Sequence, residues 1–237
     1  MLKKLTNQFK GDNLKAKCAR SSCILGVGTV ADKGLAFASK MILVRLLMPE
    51  EIGLMVLIIS LTAMFEVLTE VGIKQSVIQN KNGAKPEYLN MAWWFQSVRA
   101  ACLYAAAFLL TPLVCKFYFE GKTEVLANHT FQELHLMVRV AFLSILFNGF
   151  ISPRAHVLEK EFKFFKSILI KQGCAILGTT LTILLAFIYL DVWAMIAGFT
   201  CMAGLRCLLS FILCPFLPKL ESDKESFRQL LHFARGM

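Results

Sequence analysis

Eight ionisable side chains stand inside stretches that are otherwise apolar: Asp32, Lys33, Lys40, Glu66, Glu70, Arg99, Arg139 and Arg206. A charge in hydrocarbon is costly unless it faces protein or water, so such residues mark a polar interior, a substrate path or a coupling site. The cations suit an anionic substrate: lysine brings a point charge and arginine a planar fork matched to phosphate oxygens. Lys33, Lys40, Arg99, Arg139 and Arg206 are therefore the candidate substrate contacts. Asp32, Glu66 and Glu70 are candidates for exchanging a proton or for neutralising those cations. Lys33 and Lys40 are seven apart and share a helix face. Lys33 and Glu66 fall at similar depth, counted inward from the ends of their segments, which predicts a Lys33–Glu66 pair. Lys40 and Arg45 toward the outer end, and Glu70, Arg99, Lys171 and Arg206 toward the inner end, lie where snorkelling to headgroups is the competing reading. Arg139 is intermediate.

Other chemistry finds no support. The eight cysteines form no C-x-x-C, and most sit in apolar runs, where a free thiol acts as a small hydrophobe. The spacing that would hold a metal is absent. No G-x-x-x-x-G-K-[ST] loop exists, which excludes a P-loop ATPase, and no paired-Asp motif of a prenyl-diphosphate enzyme occurs. His129 and His135 fall in a predicted outer loop and read as solvated residues. The expectation is a protein without catalytic residues, metal or cofactor.

The elements that must position these charges are membrane helices. Of 237 residues, 57% are hydrophobic and 20 are Phe, and the mean hydropathy is +0.60. Soluble domains use about 45–50% apolar residues. The net charge of +10 does not point to nucleic acid, because Lys and Arg cluster between apolar runs rather than on one face of a soluble fold. About 20 apolar residues are needed per crossing. Six spans are predicted, at 22–44, 52–73, 91–115, 134–152, 167–189 and 192–214, giving an all-α integral membrane bundle over 22–215. The corner Met48-Pro49-Glu50-Glu51 joins the first two. Residues 1–21 form a basic lead, 153–166 an interfacial helix with Phe interleaved among Lys, and 216–237 a charged linker running into the start of a seventh span. With the amino terminus in the cytoplasm, the lead and segments 74–85, 154–171 and 219–235 lie inside and hold most of the Lys and Arg. Only Arg45, Lys116 and Lys122 then fall outside, which satisfies the positive-inside rule.

Three stretches carry a resemblance. RLLMPEEIGLMVL with LTEVGIKQSVIQNK resembles the first hairpin of bacterial polysaccharide and O-antigen flippases of the multidrug/oligosaccharidyl-lipid/polysaccharide exporter superfamily. ISPRAHVLEKEFKFFKSILI resembles the connector between their fourth and fifth spans, and YLDVWAMIAGF the turn between the fifth and sixth. The resemblance implies a MATE-like fold of two six-helix lobes working by alternating access, of which this chain carries the amino-terminal one. It implies a location in the bacterial cytoplasmic (inner) membrane. It also implies a polyprenyl-diphosphate-linked glycan as cargo, undecaprenyl in the family, with the bilayer and glycan polymerase or export proteins as neighbours. A multidrug extruder of the same superfamily, a membrane enzyme acting on polyprenyl-linked sugar and a subunit of a glycan-assembly complex are the alternatives. An excess of cations over carboxylates disfavours the extruder.

Overall fold

A computed structural model describes residues 14–68, 72–80, 82–119, 130–160 and 164–218, and every regular element among them is a helix. Helices α1 (Leu14–Leu46) and α2 (Pro49–Leu68) meet at the expected corner. Pro49 opens α2, where its missing N–H is no loss, and Glu50 and Glu51 complement the positive end of the helix dipole. Gly72, at φ 63°, leads into α3 (Ile73–Gln79). Next come α4 (Pro86–Phe119), α5 (Phe131–Gly149), α6 (Arg154–Lys160) and α7 (Phe164–Ile168). A π turn over Leu169–Gly173 joins α7 to α8 (Cys174–Tyr189), and a two-residue link leads to α9 (Val192–Leu213). In that link Leu190 adopts the left-handed conformation, φ 47°.

The elements depart from the predicted spans in instructive ways. α1 begins at Leu14, already within the basic lead. α2 stops at Leu68, and Ile73 belongs to the separate helix α3, whose Ile73, Ser76 and Val77 are buried. α4 starts at a proline in the preceding loop rather than at Met91. α5 begins at Phe131, where the Thr130 N–H donates to Glu133 Oε2 at 3.1 Å and stops the first turn fraying. That places His135 on a helix, its ring edge-on to Phe131 at 5.6 Å, and not in a loop. Against six expected spans, three helices among the described residues are long and apolar enough to cross a membrane: Pro86–Phe117, Lys166–Tyr189 and Val192–Leu213. The other long helices carry Asp32, Lys33 and Lys40 (α1), Glu66 (α2) and Arg139 (α5), while Arg99 and Arg206 stand on two of the three more apolar ones. Glu70, His129, most of the lead and the predicted seventh span lie outside the described residues.

α5 and α9 pack together at the centre, with α4 against α5, α8 against α9, and α2 seated on both. The main core joins Leu54 and Ile58 of α2, Met137 and Phe142 of α5, and Val192 and Ile196 of α9. In lipid, apolar burial does little to drive helices together, so close packing and hydrogen bonds must hold them. The α8–α9 pair shows the first. A Cβ added to Gly198 would stand 1.8 Å from Thr182 Oγ1, and one added to Gly178 2.6 Å from Met202 Cβ. The α4–α5 pair shows the second. Gln96 Nε2 donates to the Asn148 carbonyl at 3.0 Å, and Ser97 Oγ and Trp93 Nε1 approach the carbonyls of Gly149 and Phe150. Side chains of α4 thus satisfy carbonyls that the end of α5 leaves open. On the periphery Leu109, Leu113, Phe117 and Ile188 are exposed, as lipid-facing positions should be. α1 is placed differently from the rest. It packs on α7, the π turn and α8, while its neighbour in sequence, α2, packs on α5 and α9.

Candidate functional site

The packing of α1 on the α7–α8 segment leaves a groove of about 450 Å³ beside α9. Thr29, Asp32 and Lys33 line it from α1, Lys171 and Gln172 from the π turn, and Arg206 from α9. The wall is completed by Ala155 and His156 at the start of α6 and by Ser167 of α7. Three firm cations thus face one carboxylate, with an imidazole beside them.

Local structure explains each placement. A π turn inserts one extra residue into a helix and rotates the residues after it, a distortion common at functional sites. Here it carries Lys171 and Gln172 to the groove. Gln172 Nε2 reaches Thr29 Oγ1 at 3.3 Å and ties the turn to α1. Gly28 makes room, since a Cβ there would stand 2.1 Å from Gln172 Oε1. His156 is set by the connector after α5. The Ser152 N–H donates to Ser210 Oγ at 3.0 Å, and Arg154 Nη1 donates to the Pro215 carbonyl at 2.9 Å. These bonds fasten the connector to the end of α9, close to Arg206.

Arg206 is half-buried, and its Nε lies out of solvent without a hydrogen-bond partner in the protein. Gln172 Oε1 is likewise buried and unbonded. Buried polar atoms are nearly always satisfied, so these two are exceptions in the wall of the groove, with Gln172 Oε1 pressed against Gly28 of α1. Lys33 is exposed and Asp32 half-buried. Chemically the site can hold an anion with several oxygens, with Asp32 offsetting part of the positive charge.

The other described residues singled out from the sequence lie elsewhere, Glu70 being outside the described residues. The Lys33–Glu66 pair does not form. Lys33 faces the groove, while Glu66 of α2 accepts a 2.9 Å hydrogen bond from Asn148 Nδ2 of α5. Matching depth on adjacent segments suggested that pair, and packing overrode it because α1 turns to α8. Arg139 stacks over the Phe108 ring, 4.1 Å from its centroid, on the α4 side of α5. Arg99 is half-buried on α4, away from the groove lining. Lys40 borders a second groove of about 390 Å³ between α1 and α2. Leu43, Met55, Val56, Ile59 and Met195 make that groove apolar. Of the eight candidates the structure gathers Asp32, Lys33 and Arg206. It adds Lys171, His156 and Gln172, which sequence reasoning left in connectors and at a helix end. Pro153 and the Lys-Phe run marked the right neighbourhood, but no periodicity reveals a π turn.

Residues 42–237 match the model of a family described as polysaccharide biosynthesis protein. The match takes in Lys171, His156 and Arg206 and starts after Asp32, Lys33 and Lys40. Lipopolysaccharide biosynthesis protein WzxC of Escherichia coli (strain K12) is 25% identical over 197 residues, which is 83% of this chain and 38% of WzxC. The chain therefore spans less than half the length of this curated relative. No solved structure matches the chain.

Proposed function

The chain belongs to the polysaccharide biosynthesis protein family, and on that premise we propose that it is the amino-terminal lobe of a carrier that moves a polyprenyl-diphosphate-linked oligosaccharide across the bacterial cytoplasmic membrane. The reading includes six crossings, with α1, α2 and α5 spanning alongside the three more apolar helices, and an amino terminus in the cytoplasm. Its partner lobe supplies the facing wall, and the two alternate access to a shared chamber.

One observation carries the proposal: Lys33, Lys171 and Arg206 converge on a groove that holds a single carboxylate among its lining residues. A diphosphate has the charge and the oxygens to engage all three. An extruder of organic cations would need the opposite balance. Asp32, the carboxylate within the groove, is the group placed to neutralise the cations when cargo is absent or to take up a coupling proton. Glu66, bonded to Asn148, serves the α2–α5 contact instead. The protein acts as a carrier and not as a catalyst.

The test is complementation of a strain lacking its O-antigen flippase, with the complete gene and with residues 1–237 alone. Surface polysaccharide is expected from the complete gene and not from the lone lobe. A complete gene product that reaches the membrane at normal levels and restores nothing overturns the proposal.

A further inference from the structure

The polar groove and the apolar groove lie along the same two helix faces. On α1, Lys33 lines the first and Lys40 the second, at a spacing of seven that keeps them on one side. On α9, Met195 lines the apolar groove and Arg206 the polar one. Eleven residues separate those two, about three full helical turns, so they too share a face. The two grooves therefore sit in line along the α1–α9 side of the lobe, separated along α1 by about 10 Å. Ala36 and Phe37 flank the line from Lys33 to Lys40; Ala36 is small and half-buried, and Phe37 is exposed and offers an apolar ring beside it.

The order of the two matters. Lys33 and Arg206 are nearer the end of the bundle that bears the α5–α6 connector, and Lys40 and Met195 nearer the α1–α2 corner. With the amino terminus in the cytoplasm, the charged groove lies toward the inner leaflet's headgroups and the apolar one deeper in the hydrocarbon. That is the polarity of a lipid resting in the inner leaflet. At about 390 Å³ the apolar groove is at the small end of ligand sites, which run from about 300 to 1,000 Å³. It suits one hydrocarbon chain better than the pair of a phospholipid. Lys40 contributes its methylene stem to the wall while its ammonium can reach outward.

The geometry points to one continuous lane for an amphiphile: a phosphate-bearing head in the Lys33–Lys171–Arg206 groove and a single prenyl chain running past Ala36 and the Phe37 ring into the groove formed by Leu43, Val44, Met55, Ile59 and Met195. The inference rests on the proposed role of the polar groove and adds the site of the chain, which lies within this lobe. The lobe alone then holds a lipid-linked cargo by both ends of its amphiphilic part, before any partner lobe closes over the sugar.

Binding of inorganic diphosphate, geranyl diphosphate and farnesyl diphosphate to the purified chain in nanodiscs tests it. Affinity is expected to rise by about tenfold or more from the inorganic ion to the farnesyl compound, as buried methylenes accumulate. Ile59→Trp and, on the opposite wall, Val44→Trp are expected to abolish that rise and leave the inorganic ion bound as in wild type. Two variants on different helices guard against one that misfolds, and the gain due to partition into the bilayer is measured on nanodiscs without protein and subtracted from all three proteins. Arg206→Ala is expected to weaken all three ligands. Diphosphate binding with a chain-length gain that survives both tryptophans overturns the lane and leaves the polar groove standing. Displacement of farnesyl diphosphate by phosphatidylglycerol at equal concentration overturns the single-chain assignment. Failure of wild type to bind inorganic diphosphate overturns the reading of the polar groove, and the lane with it.

Discussion

Among single side chains, Arg206 and Arg139 make a useful contrast. Both are half-buried on central helices and both have an unbonded Nε, yet Arg139 has its guanidinium over an aromatic face and Arg206 looks into the charged groove. Arg206→Ala in the complete carrier is expected to cut glycan export by about tenfold or more, from the loss of a charge-assisted contact. Arg206→Lys is expected to fall between, because it keeps the charge and loses the fork. Export is read from surface polysaccharide at matched membrane levels of protein. Arg139→Ala is expected to lower thermal stability, by about 1 kcal/mol for a lost cation–π contact, with export retained. The sequence placed both arginines in one class because depth and charge are all that a linear reading can weigh. What distinguishes them is the helix each one faces, and that is a property of packing.

Among elements, helix contacts use two devices. Where α8 meets α9 the backbones approach over glycine, and the Gly198 position has no room for a methyl group against Thr182. Gly198→Ala is expected to destabilise the purified chain by about 1–3 kcal/mol through overpacking, seen as a lower melting temperature in detergent. Thr182→Gly in the same chain should recover part of the loss, since Thr182 Cβ would also lie 2.8 Å from the new methyl. The helical elements themselves were largely legible. Pro49 within the corner and Leu190-Asp191 between α8 and α9 are local signals at which helices begin or end, and Thr130 with Glu133 in the first turn of α5 is a further one that the predicted start at 134 passed over. The π turn was not legible, because inserting one residue leaves composition and hydropathy unchanged. With it went the placing of Lys171, read only as a charge at a span's entry, and of Gln172 on the groove. The separate helix α3 was also missed: its apolar face, Ile73 and Val77, packs with Tyr88 and Val157 rather than continuing α2.

At the scale of the whole molecule, orientation depends on the distribution of Lys and Arg between the two ends of the bundle. With the exposed native Cys102 and Cys201 replaced, Met48→Cys and Leu190→Cys are expected to react with a membrane-impermeant maleimide added to intact spheroplasts. Asn82→Cys and Arg154→Cys should react only after the inner face is opened. The reverse pattern would invert the assignment and put the charged groove at the outer leaflet. The family match and the helical architecture agree with the hairpin and connector motifs that first suggested them, whereas the convergence of Lys33 with Arg206 depends on a contact that no local motif encodes. That same contact has a consequence for how the chain is made. α1 ends at Leu46, and the segment it packs on begins at Phe164. Synthesis at about 5–20 residues per second puts on the order of ten seconds between them. Throughout that interval Asp32 and Lys33 wait without the Lys171–Gln172 wall of their groove, so α1 is made long before the surface on which it comes to rest.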